Sequence, residues 1–482
     1  GNDRTYLQDE VNQLITEINR ISGNTEFNST KLLDGTFTDK NIQIGTASNQ
    51  VLRLGVASTD STKLGAYQVD TADESIGRVD SFASAKTAIN ALYSDSADYV
   101  VKGTFGTYTA MVDAGADARD VASSFNLLSG DTGVNATALT KARLSASAAA
   151  TYSFTLQGKS STTSEITATI TSTTDLTAIK DAINAVSGSS GITAALTSDK
   201  SGINLTQSEG FDIIIGDLTT GSTNADLHVT AMDLDGVLDT TEVTVDTSSP
   251  PASSAGATLT SASAHGFSVG DIVTYTAGGT VVTGLTSGTS YKIKAVGSTT
   301  TFTLETTASA AVTYGGGGGH ASDTFTRTAR ALDGDATTGD STAISGVVRL
   351  SSQNAYTVSP GHADNIFSAS TTEITAAHNT ISSVSLTTKA GATKAMSIID
   401  GALLMISGIR SDMGSANNRL QSTIDNLSNI AVNAQKSLST IEDANFAEET
   451  ARLTKAQILS KAATSMLAQA NKAKETMLAL LQ

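Results

Sequence analysis

Apolar side chains recur at alternating spacings of four and three at both ends of the chain, with polar residues filling the positions between them. At the start, Leu7, Val11, Leu14, Ile18 and Ile21 keep this register, which predicts a helix that packs lengthwise on other helices. Asn2 or Asp3 can cap it and Gly23 can end it. Toward the other end Ile399, Leu403, Ile406, Met413, Leu420, Ile424, Leu427, Ala431, Ala434, Leu438 and Ile441 hold one seam, interrupted only by Arg410 and Asn417. A sustained heptad seam of this kind predicts a coiled coil, and its polar positions fix register at a cost in stability. A further amphipathic stretch carries Leu459, Ala462, Met466, Ala470, Ala473, Met477 and Leu481 on one face. Ordinary core-facing helices of a bundle would show the same periodicity. Here one short N-terminal helix cannot cover both long C-terminal stretches, so other helices must meet the remaining apolar surface.

Between the ends the period changes from helical to alternating. Ile42 and Ile44, then Leu52, Leu54 and Val56, alternate with polar residues and predict a β-hairpin bridged by 46–50. An internal repeat follows. Asp117, Val121, Phe125, Asn126, Ser129, Gly130, Gly133, Val134 and Ala136 match Asp175, Ile179, Ile183, Asn184, Ser187, Gly188, Gly191, Ile192 and Ala194, each shifted by 184 − 126 = 58 positions. Tyr108, Ala110 and Val112 match Ile166, Ala168 and Ile170 in the same way. The predicted unit is strand, helix, Ser-Gly turn, strand, present twice; a solenoid needs about three copies or more. Residues 247–257, with adjacent prolines, read as a linker. Short apolar runs separated by Gly- and Thr-rich turns over 258–314 predict a β-rich module, and 315–319 is a flexible all-glycine joint. A β segment over 347–358 leads back to the C-terminal helices.

Composition narrows the chemistry. The 482 residues are 39% hydrophobic but only 5% aromatic, with no Trp and no Cys. Cores must therefore be built from Ala, Val, Ile and Leu, with no disulfide and no thiolate chemistry. The formal net charge of -17 opposes nucleic-acid and anionic-membrane surfaces, which need clustered Lys and Arg. No uninterrupted apolar run approaches the roughly 20 residues of a membrane span. His228, His265, His320, His362 and His378 are scattered and suggest no metal site. The sequence has no His-Glu-x-x-His, no Gly-x-Ser-x-Gly and no phosphate-binding Gly-x-x-x-x-Gly-Lys. The acid pairs Asp233/Asp235 and Glu448/Glu449 read as solvated faces, since the segment beginning at Asp233 lacks the ligands of a calcium loop. No catalytic site, metal or cofactor is expected.

The residues at both ends resemble those of the flagellins. LQDEVNQLITEINRISGNTEFNSTKLLDG at 7–35 is similar to the family's N-terminal region. NNRLQSTIDNL at 417–427, IEDANFAEETARLTKAQIL at 441–459 and MLAQAN at 466–471 are similar to its C-terminal region. Lys474 stands near the end where many members have a proline. The resemblance implies a secreted filament subunit with a multidomain fold, in which long coiled-coil-like helices from both chain ends enclose repeated α+β modules and a β-rich domain. In family terms 1–60 and 391–445 form a rod-like layer, 446–482 a core helix, and 61–246, 258–314 and 320–390 the outer domains. It also implies a family segment before Gly1 that supplies a partner helix and the export signal. The implied partners are further copies of the chain, an export chaperone, junction and cap proteins and, for members that are sensed, a Toll-like receptor, for which Glu10 falls at an acidic contact position. Neither nucleic acid nor a membrane is among them. Two other readings remain open: a hook-filament junction protein, and a filament whose outer β domains bind carbohydrate through Tyr275, Tyr291 and Phe302.

Overall fold

The computed structural model describes residues 2–44, 50–71, 76–79, 97–113, 115–221, 225–239, 242–244, 254–261, 265, 267, 269–278, 281–307, 309–314, 323–332, 340–360, 367, 373–443 and 445–480. The all-glycine joint, most of the proline linker, His320, His362 and Leu481 lie outside them. By contacts the chain forms two compact units, one of 1–36 with 57–408 and one of 37–56 with 409–482.

Helix α1 (Asn2–Asn24) opens the first unit, running one residue past Gly23. The packed side of α1 carries Gln8, Val11, Ile15, Ile18, Asn19 and Ser22. Val11 packs on Val384, Ala395 and Ile398. Three polar residues on this side bond to distant backbone: Gln8 accepts from Leu386 N at 2.5 Å, Asn19 accepts from Ser61 N at 3.0 Å, and Ser22 donates to Leu33 O at 2.8 Å. The middle of the chain is a β-rich region of several antiparallel sheets. Its longest strand, Val134–Ala146, pairs along its length with Val347–Ser352, Leu227–Met232 and Ile203–Gln207.

The repeat is visible as geometry, and each copy is one strand longer than its sequence match. Strands Ala97–Lys102 and Thr107–Val112 form a hairpin, followed by α2 (Ala118–Asn126), the short α3 (Ser129–Thr132) and the strand beginning at Val134. Strands Thr151–Gln157 and Ser164–Thr169, then α4 (Thr177–Ala185), α5 (Ser187–Ser190) and Ile192–Leu196, repeat that order. In both copies one asparagine joins helix to strand. Asn126 donates to Ala136 O at 2.9 Å and accepts from Ala136 N at 2.8 Å. Asn184 makes the same two bonds to Ala194, at 2.9 and 2.8 Å. The carboxamide thus imitates a neighbouring strand. Gly133 and Gly191 follow at φ 75° and 71°, a left-handed turn that glycine adopts without a Cβ penalty. Val121 and Phe125 fill one core, and Ile179 and Ile183 another.

The β-rich module has its own core, in which Tyr275, Tyr291 and Phe302 are buried among Leu259, Ile293 and Leu304. None of the three rings is available to stack on a sugar. The sheet of this module runs on into the main one. Strand Thr324–Leu332 pairs through its first part with Asp271–Thr276 and through its last three residues with Leu227, His228 and Val229. Two buried ion pairs tie the module down: Lys292 to Asp226 at 3.3 Å and Asp271 to Arg330 at 3.0 Å. The predicted return segment 347–358 is two strands, Val347–Ser352 and Thr357–Pro360, because the chain turns between them and Tyr356 bonds back to Leu350 O at 2.8 Å.

In the second unit the predicted hairpin is present as Lys40–Gln43 with Val51–Leu54, Ile42 facing Leu52. Leu52 and Val56 are buried. Most of helix α6 (Lys389–Glu442) and all of α7 (Phe446–Ala479) belong to this unit.

Candidate assembly surface

Helix α6 starts in the first unit, where its inward face consists of Ala395, Ile398, Gly401 and Ala402. A Cβ at Gly401 would lie 2.5 Å from Ala66 Cβ and 3.0 Å from Gly65 O, so glycine is needed for the helix to rest on strand Gly65–Asp70. Beside this contact Arg349 is buried. Its Nε and Nη2 donate to the two Asp70 carboxylate oxygens at 2.6 Å each, and Nη1 and Nη2 to Asp235 at 3.2 and 3.1 Å. Asp235 is therefore one half of a buried ion pair, not the solvated face its sequence suggested. Asp233 accepts from Val237 N at 2.7 Å and closes a turn. We expect Gly401→Val to destabilise the first unit by about 1–3 kcal/mol through overpacking, measured as a lower urea midpoint with unchanged slope; an unchanged midpoint would mean that the helix does not press on the strand.

The seam read from sequence is the outward face. Ile399, Leu403, Met413 and Ile424 are exposed, while Ile406, Leu420 and Leu427 are half-buried. On α1, Leu7, Leu14 and Ile21 are exposed and only Val11 and Ile18 are partly covered. Glu10 is exposed. Each of these helices thus carries two sides, one used inside the unit and one left open.

Helix α7 is open throughout. Asn445 caps it, accepting from Ala447 N at 3.2 Å, and Glu448 and Glu449 occupy the first turn, where carboxylates favour the helix N-terminus. Glu448 also pairs with Arg452 at 2.8 Å. Leu459, Ala462, Met466, Ala470, Ala473 and Met477 are all exposed, as the sequence face requires of an uncovered helix. The sequence reading missed a second stripe. Phe446, Leu453, Leu467 and Leu478 are 84%, 58%, 63% and 72% exposed. At 3.6 residues per turn they lie roughly 100–160° round the helix from Met466. The signal was present as the seven-residue steps between 446, 453 and 467, broken by Ser460. Part of the run 389–479 is also apolar enough to pass a membrane-span criterion, with mean hydropathy 1.4 over 18 residues, of which 22% are buried. Averaged hydropathy registers this where the search for an uninterrupted run did not.

Among the described residues no group of three or more His, Asp or Glu is placed to hold a metal. His265 is a core residue, its Nδ1 accepting from Phe267 N at 2.9 Å and its Nε2 3.1 Å from Ser298 O. One carboxylate departs from ordinary chemistry. Asp212 Oδ1 is sealed without a hydrogen-bond partner, and burial, reinforced by Asp117 and Asp120, pushes its carboxyl up to about 8.

Three segments of the chain match known families. Residues 396–481 match the bacterial flagellin C-terminal helical region, residues 1–38 the bacterial flagellin N-terminal helical region, and residues 153–209 the flagellin hook IN motif. The motif match covers the second repeat. B-type flagellin of Pseudomonas aeruginosa is 40% identical over 148 residues, 30% of this chain and 30% of that protein. Flagellin A of Vibrio cholerae is 45% identical over 103 residues, 21% of this chain and 27% of that protein. The chain thus spans under a third of the length of these curated relatives. A flagellar cap protein from Helicobacter pylori aligns over 56% of this chain and 91% of its own, at 11% identity and a TM-score of 0.15, too low to bear on the fold. Both terminal helical regions and the inserted motif match in the order in which flagellins carry them, so over these three segments the chain is similar to the bacterial flagellins.

Proposed function

We propose that this chain is the structural subunit of a flagellar filament and does no catalysis. The observation that carries the reading is helix α7, whose leucines and methionines are exposed on two stripes in the single chain and need other helices to cover them. Subunits joined head to tail by a rotation that does not close give an open helical polymer. In this reading 446–482 lines the core, 1–60 with 391–445 forms a surrounding coiled-coil-like layer, and the repeated α+β and β-rich modules of 61–390 project outward. Export chaperone, junction, cap and innate-receptor contacts, the last through Glu10, rest on family likeness. The buried positions of Tyr275, Tyr291 and Phe302 remove the three rings on which the carbohydrate-binding alternative rested.

Hydrogen exchange on the native gene product, as dilute monomer and as sedimented filament, tests this. Residues 446–479 should exchange freely in the monomer and become protected in the filament. Protection already present in the monomer would mean that the stripes are covered internally and would overturn the reading.

A further inference from the structure

One continuous sheet passes from the β-rich module into the body through strand Thr324–Leu332, and its ladder to the body strand Leu227–Met232 is short: Leu227↔Leu332, His228↔Ala331 and Val229↔Arg330. A histidine occupies the middle of this junction. Its Nε2 is sealed from solvent and has no hydrogen-bond partner, so a proton added there meets no acceptor. Near it stands Lys292 of the β-rich module, paired to Asp226 two residues before His228, and the register partner of Lys292 on the next strand is Glu305. On the other side His228 faces Ser145 in the strand that carries Arg143, whose Nε donates to Asn204 at 3.2 Å. Arg330 next to the junction is paired with Asp271, and Arg327 with Asp239 at 2.5 Å. Asp226, Asp271 and Asp239 are each already paired with a cation, Lys292, Arg330 and Arg327 in turn.

We propose that this junction is an acid-operated hinge: protonation of His228 parts the β-rich module from the body while each keeps its own core. The two parts have separate cores, the shared strand giving Phe325 to that of the module and only its terminal Leu332 to that of the body. Burial first, and Lys292 second, push the imidazole down to about 4. The sign follows from linkage. With its folded pKa below the unfolded value, His228 leaves the junction intact above about 6.5 and weakens it progressively as pH falls toward 4.

The chain has no cysteine, so Thr193→Cys in the body and Thr286→Cys in the module, both at exposed positions, accept a donor and acceptor dye pair for energy transfer in the whole chain. Transfer should fall as pH is lowered from 7 to 3.5 while far-UV circular dichroism holds. His228→Gln, and independently His228→Phe, should move the midpoint down by about one pH unit, since one titrating group is removed. An unchanged midpoint in whichever variant folds would overturn the proposal. So would loss of transfer and dichroism together. In the unsubstituted chain, a His228 proton resonance titrating near 6.5 with transfer undisturbed would overturn it without any variant.

Discussion

Met466→Asp in the native gene product should abolish filaments and leave the monomer as stable as before. Met466 is 72% exposed in the single chain, so a carboxylate there is hydrated and costs nothing. In a polymer that covers this stripe, the same carboxylate is buried without a partner, at several kcal/mol or with a raised pKa, and the penalty recurs at every subunit. Each 1.4 kcal/mol multiplies the free monomer concentration tenfold. Sedimentation should find the variant in the supernatant, and thermal unfolding of the first unit should be unchanged. Normal filaments from the variant would show that the Met466 stripe is not a buried contact.

Asp212→Asn should stabilise the first unit above neutral pH and do little in acid. Because burial holds the folded carboxyl near 8, well above its unfolded value near 4, its contribution is intact below pH 4 and is lost as pH rises toward 8. Four units correspond to roughly 5 kcal/mol, an upper bound because relaxation and water entry reduce it. Asparagine removes the ionisation, and with it the repulsion from Asp117 and Asp120. Chemical denaturation at pH 5 and pH 8.5 should give similar stabilities for the variant and a lower value at pH 8.5 for the unsubstituted chain. Parallel pH profiles would place the shift elsewhere.

What could be read in the sequence was whatever repeats. The terminal helices, the 40–54 hairpin and the 58-residue repeat announced themselves because burial recurs every 3.6 or every two residues, or because Asn126 and Asn184 stand in matching company. The choice of side did not. Gln8, Asn19 and Ser22 face inward on α1 because each finds a backbone partner far along the chain, at Leu386, Ser61 and Leu33. A periodic apolar count gives such residues no weight. The seam of Leu7, Leu14, Ile399 and Leu403 faces outward in the single chain. Lys292 and Asp226 are 66 positions apart, and nothing local marks either as buried. Residues 258–319, bracketed by Pro- and Gly-rich stretches, read from sequence as a removable insert, yet removing them would take Lys292 and Asp271 from their ion pairs with Asp226 and Arg330.

The two stripes on α7 also bear on connectivity. A helix with a single apolar face satisfies one neighbour, so units joined through it alone could link only in rows. Two faces roughly 100–160° apart let one helix touch two neighbours that do not lie in line with it, which is the least that a closed tube wall demands. Blunting only the stripe of Leu453 and Leu467 would lower the valence of each unit rather than its appetite for partners, and the product would be loose strands instead of a tube.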